Sequence, residues 1–167
     1  MTQRLGWGHI NINVKDLDVS IRFYQKLGFE PFFSGIPYLN LAAEQQNTIT
    51  PETAEALAVP QGTRARACIM QLGDGFPKID LTELADMVQR EPLTNEDRGL
   101  VRFCLLSQDL MADYEHLKAQ GVEFLSPPQL CHEEMGYIAT CVDPDGTLIE
   151  LLQIHLGRLP PIPGLNA

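Results

Sequence analysis

Apolar and polar residues alternate from Trp7 to Val14, with Ile10, Ile12 and Val14 on one side and His9, Asn11 and Asn13 on the other. A period of two predicts a half-buried strand with a polar face turned from the core. Asp16 follows as a helix N-cap, and Leu17, Ile21 and Tyr24 recur at i, i+4 and i+7, the stripe of an amphipathic helix. Gly28 suits the left-handed residue that ends such a helix, and Phe29 to Phe33 reads as a second strand. The same grammar returns later: strand Leu100 to Leu106, cap Asp109, stripe Leu110, Tyr114 and Leu117, stop Gly121, strand Val122 to Leu125. His9 lies seven residues before Asp16, and Arg102 lies seven before Asp109; Gly28 and Gly121 each fall nineteen residues after those starting points. The chain contains an internal repeat.

Both copies close alike. Gln71 to Leu81 aligns without gaps on Cys141 to Leu151, each a strand, a Gly/Asp/Pro turn and a second strand. The alignment equates Asp80 with Glu150, so His9, Asp80, Arg102 and Glu150 are equivalent polar positions, two per copy. His9 to Asp80 spans 71 residues and Arg102 to Glu150 spans 48, which leaves 23 extra residues in the first copy, assigned to 34–62. There Thr50 caps and Pro51 opens a helix reaching Ala58. An insertion of this length is either a lid or an inert excursion, and its residues do not separate the two. The predicted organisation is one domain over 1–167: a first module at 5–83, an acidic linker at 84–98, a second module at 99–155, and a tail at 156–167 made stiff and non-helical by Leu159 to Gly164.

Composition narrows the partners. At 167 residues, 44% hydrophobic and 20% charged, the chain can bury a core without metal or disulfide support. A formal net charge of -10, with 12 scattered Lys and Arg, disfavours nucleic acid and anionic membrane surfaces. No apolar run reaches the roughly 20 residues that span a bilayer, and the start lacks a signal-peptide apolar stretch, so a cytoplasmic location is expected. Cys68, Cys104, Cys131 and Cys141 form no C-x-x-C pair and are expected to be reduced, small buried hydrophobes.

The doubled strand-helix-strand-strand-strand unit carries Ser20-x-x-Phe23-Tyr24-x-x-Leu27-Gly28-Phe29 in its first copy and Asp143-Pro-Asp-Gly146-x-x-x-Glu150 in its second. It resembles the vicinal oxygen chelate superfamily, the group of glyoxalases, bleomycin resistance proteins and extradiol dioxygenases. The resemblance implies an α+β fold in which two tandem βαβββ modules form an incomplete barrel, a glyoxalase-like cup for one small molecule, commonly in a homodimer. It would bring His9, Asp80, Arg102 and Glu150 to the cup floor. Metal-using relatives hold a divalent ion there, which polarises a carbonyl or enolate or activates dioxygen.

His9 and Glu150 match that pattern. Asp80 is one methylene shorter than the side chain some relatives use, and Arg102 stands where most metal-using relatives have histidine. A guanidinium stays protonated and cannot ligate. Its repulsion of a dication 5 Å away is about 6 kcal/mol at an effective dielectric of 20, against roughly 10–16 kcal/mol for a structural zinc site. A three-ligand set of His9, Asp80 and Glu150 for Fe, Zn, Ni or Mn stays open on coordination number.

Two functions follow from the resemblance. The first is an enzyme acting on an oxygenated, anionic or neutral metabolite, of lyase or isomerase type and less readily a dioxygenase, with His9 and Glu150 as the catalytic pair. The alternative is a metal-free binding protein of the antibiotic-sequestering kind, in which Arg102 grips an anionic group. Asn11, Asn13, Lys78 and Cys104 are the inward positions expected to touch the ligand. His132 belongs to a stretch, Cys131 to Tyr137, that partly resembles the extradiol signature, although Thr140 stands where that signature has tyrosine; a surface loop is the other reading.

Overall fold

In the first copy the alternating segment forms β1 (His9–Asn13), and the stripe that follows forms α1 (Leu17–Lys26). A computed structural model of the chain describes residues 5–88 and 90–159. It divides into two compact units whose boundary in sequence falls between Arg90 and Glu91. The Asp16 carboxylate caps α1 by accepting from the Val19 N–H at 2.9 Å. Gly28, at φ +90°, ends the helix and lets the Phe29 N–H turn back onto the Tyr24 carbonyl.

The first unit continues with β2 (Glu30–Phe33), β3 (Gly35–Ile36), β4 (Leu41–Ala42), β5 (Asn47–Thr48), α2 (Pro51–Leu57), β6 (Arg64–Gln71) and β7 (Lys78–Leu84). Its main sheet runs β1-β7-β6-β2, with β5 also paired to β6, and β3 and β4 form a separate ribbon. α1 packs on β6 and β7 and buries Leu17 and Tyr24 completely. Each such side chain contributes about 1.5–3 kcal/mol of apolar burial. Segment 34–62 turns back onto the opposite face of the sheet. Ile36, Leu41, Ile49 and Ala54 pack there as one cluster with Ala65, Ala67 and Ile69 of β6. The insertion is therefore a folded cap that shares a core with β6.

The second unit holds β8 (Arg102–Leu106), α3 (Leu110–Ala119), β9 (Glu123–Phe124), β10 (Gln129–Leu130), β11 (Gly136–Val142) and β12 (Leu148–Ile154). Its sheet runs β10-β11-β12-β8, with β9 also on β11. Among the described residues the fold is α+β, with one five-stranded sheet in each unit. The repeat is visible in the pairing itself. β1 lies parallel to β7 with His9 opposite Lys78 and Asn11 opposite Asp80, and β8 lies parallel to β12 with Arg102 opposite Leu148 and Cys104 opposite Glu150. Each helix is also tied to the last strand of its unit: the Leu17 N–H donates to Glu83 at 2.7 Å and the Leu110 N–H to Gln153 at 2.8 Å.

Two expectations are corrected, the hairpin alignment and the burial of the cysteines. The hairpins do not align without a gap, because Ile69 faces Asp80 while Thr140 faces Glu150. Gln71 thus corresponds to Val142, and loop 72–77 is one residue longer than loop 143–147; pairing register follows the turn, which residue counting misses. The tail opens with a 3-10 turn at Leu156–Arg158, and residues 160–167, most of the expected stiff stretch, lie outside the described residues. Cys68 and Cys141 are buried as expected, but Cys104 is exposed on β8.

Candidate functional site

On the polar face of the first unit, β1 and β7 set His9 beside Lys78 and Asn11 beside Asp80. Asp80 is 1% exposed. Its Oδ2 accepts a hydrogen bond from the Tyr38 hydroxyl at 3.1 Å and lies 3.6 Å from His9 Nε2, while Oδ1 has no hydrogen-bond partner among the described residues. The His9 side chain is 44% exposed, and its ring stacks on that of Tyr38 at 6.5 Å. A buried carboxylate thus backs an accessible imidazole, and the cap contributes the third group. Burial raises the Asp80 carboxyl above the usual aspartate range, opposed by the His9 charge and the Tyr38 hydrogen bond. Burial together with Asp80 pushes the Tyr38 phenol up to about 12, so it stays protonated and donating.

The remaining inward positions of this unit are engaged. Thr82 donates to Asn11 Oδ1 at 2.8 Å, and Asn11 in turn donates to Asn13 Oδ1 at 3.0 Å. The Lys78 amine is buried, donates to Gln71 Oε1 at 2.9 Å and lies over the rings of Phe32 and Phe76 at 4.7 and 5.1 Å.

In the second unit Arg102 and Glu150 meet each other. Arg102 Nε donates to Glu150 Oε2 at 2.7 Å and its Nη1 to Asn95 Oδ1 at 2.8 Å. Although Cys104 is exposed as a residue, partial desolvation of its sulfur and the neighbouring Glu150 push the thiol up to about 11, which leaves it a poor nucleophile at neutral pH. His132 sits on an exposed 3-10 turn (His132–Glu134) against Glu133 at 3.4 Å. That turn precedes the Gly136 end of β11, whereas Glu150 pairs with Thr140 farther along the strand.

A family model described as Glyoxalase/Bleomycin resistance protein/Dioxygenase superfamily matches residues 6–151. The chain belongs to this superfamily. Among solved structures of the superfamily, a glyoxalase family protein from Bacillus cereus has a TM-score of 0.70 at 17% identity, covering 92% of this chain and 96% of that one. A glyoxalase/bleomycin resistance protein/dioxygenase domain from Frankia sp. EAN1pec gives 0.61 at 22% identity, with 92% and 100% covered. A glyoxalase I mutant from Zea mays gives 0.58 at 20% identity, with 86% of this chain covered but 43% of that longer one. These likenesses carry the fold. No match was found among curated protein sequences.

The superfamily's divalent metal does not fit the donors present. Among the described residues no three His, Cys, Asp or Glu side chains gather as a cation needs. The reasons are local. Arg102 takes a carboxylate oxygen of Glu150, and Tyr38 takes one of Asp80. Tyr38 and Asn95 are the partners that sequence reasoning missed, because neither lies in a repeated position and neither signals its contact through spacing.

Proposed function

We propose that this superfamily member is a small-molecule enzyme of the proton-transfer type, an isomerase or lyase that works through its own side chains on an oxygenated metabolite. One observation carries the reading: Asp80, 1% exposed, lies 3.6 Å behind the half-exposed imidazole of His9. In such a pair the imidazole takes a proton from the carbon beside a substrate carbonyl. The imidazolium formed is stabilised by the carboxylate behind it, and the neutral Tyr38 hydroxyl holds that carboxylate in place. In the second unit the Arg102 guanidinium takes a carboxylate oxygen of Glu150, a charge-assisted hydrogen bond that leaves this carboxylate already engaged. Donor chemistry supports a metal-independent route, since the guanidinium on Glu150 occupies the place of a ligand.

The test is solvent exchange. In deuterated buffer with EDTA, proton NMR on a panel of small α-hydroxy and α-keto acids should show catalysed loss of a C–H signal. His9→Gln should lower that rate by roughly 10²–10⁴-fold, the usual weight of a general base. Exchange that EDTA abolishes, or that His9→Gln leaves intact, overturns the reading. Binding without turnover is the second reading, favoured by the exposed rings of Phe32, Phe33 and Phe76. It predicts ligand-induced thermal stabilisation with no exchange.

A further inference from the structure

Lys78 is a buried cation without a counter-charge in contact. Its residue is 4% exposed, its amine has one hydrogen-bond acceptor, Gln71 Oε1, and among the described residues no carboxylate lies within ion-pair distance of it. An ammonium has three N–H donors, so the glutamine leaves donor capacity unused. The fold does not require a cation here, because the equivalent position in the second unit, opposite Arg102, is the buried apolar Leu148. Phe32 and Phe76 flank the amine at 4.7 and 5.1 Å while remaining 43% and 62% exposed. Open aromatic surface beside an under-used buried amine favours a ligand that is anionic at one end and flat and apolar next to it.

We propose that Lys78, walled by Phe32 and Phe76, binds the anionic group of a small organic acid with a planar apolar body, and so sets the substrate class of the centre at His9. The link to chemistry rests on the proton-transfer reading above; the binding does not. His9 and Lys78 are strand neighbours on the same face, with Cα atoms about 4.8 Å apart by sheet geometry. The amine itself leans across β6 to Gln71 and Phe32 of β2, away from β1, so it is the body of an acid held at Lys78, not the carbon beside its anionic group, that extends toward the imidazole. Asp80, one pleat farther along β7, repels a second anionic group and selects for a monoanion or for charge confined to one end.

Benzoate, phenyl phosphate and neutral benzamide are suitable probes. In the full-length protein, benzoate is expected to bind saturably and to move the side-chain ¹⁵Nζ resonance of Lys78, with benzamide at least tenfold weaker. Lys78→Met should lower benzoate affinity at least tenfold and leave benzamide unchanged, and His9→Gln should keep benzoate affinity within twofold even where exchange activity is lost. Tighter binding of phenyl phosphate than of benzoate, lost in the same way on Lys78→Met, supports the anion site and assigns it to phosphate esters. A Lys78 resonance in the unaltered protein that saturating benzoate and phenyl phosphate leave in place overturns the proposal, whether or not Lys78→Met folds. So does benzamide binding as tightly as benzoate. Loss of exchange activity in His9→Gln with benzoate binding retained separates the two ideas; retention of both overturns only the proton-transfer reading.

Discussion

Asp80 combines complete burial, one satisfied oxygen and one orphaned oxygen, which is a costly arrangement for a carboxylate. Burial outweighs His9 and Tyr38 and raises its pKa in the folded state. A carboxyl with a raised folded pKa binds its proton more tightly when folded. The stability it contributes is present at low pH and lost as pH rises through that folded value. Asp80→Asn removes the charge and keeps an acceptor for Tyr38. Its melting temperature should exceed that of the unaltered protein at pH 8, with the gap closing toward about pH 4, where unfolded aspartate titrates. Melts followed by circular dichroism across that range check it; a gap that widens as pH falls means that Asp80 is held as a stabilising anion.

At the scale of elements, the start of α1 is fastened to the end of β7. Glu83 accepts from the Leu17 N–H at 2.7 Å and from Arg66 at 2.8 Å, and the Arg66 hydrogen bond is the main reason its pKa is lowered. The second unit does the same work with Gln153, so a neutral amide suffices for the helix contact. Glu83→Gln should therefore cost only about 1–2 kcal/mol at pH 7, and Glu83→Ala more, because it leaves a buried N–H unpaired at a positive helix end. Stability from a lowered carboxyl is present above its unfolded pKa and lost on acidification. The Glu83→Gln deficit should accordingly shrink as pH falls below about 4. Urea denaturation at several pH values measures both.

Elements of this kind were legible because their signals are local: the Ile10, Ile12, Val14 alternation, the Asp16 and Asp109 caps, and the glycines that end each helix. The Arg102–Glu150 contact was legible as one outcome of two opposite charges at matched positions. The contact of Tyr38 with Asp80 was not, since it joins residues 42 apart through a cap whose packing no periodicity encodes. The hairpin register slipped for a related reason: a turn's backbone conformation, not the number of residues that look alike, decides which partners meet.

For the whole molecule, charge and site pull in opposite directions. A formal net charge of -10 repels small anions at long range, whereas Lys78 attracts them at contact. Raising ionic strength from about 10 to 150 mM shortens the screening length from about 30 to 8 Å and removes chiefly the long-range repulsion. The association rate of benzoate should then rise, by up to about threefold, when the salt anion is too bulky to compete. Stopped-flow or NMR line-shape measurements read this directly. A falling rate means that a basic surface, not a buried amine, does the attracting.

The extra residue in loop 72–77 bears on how two copies of one module became different. In the second unit the corresponding loop closes on its own Asp143, whose carboxylate accepts from the backbone of Asp145 and Thr147. The longer loop instead carries Phe76 to the Lys78 amine. A one-residue length change at a surface turn is among the mildest alterations a sheet accepts. The two turns thus serve different ends: one folds onto its own carboxylate, while the other, one residue longer, supplies an aromatic wall to a buried amine.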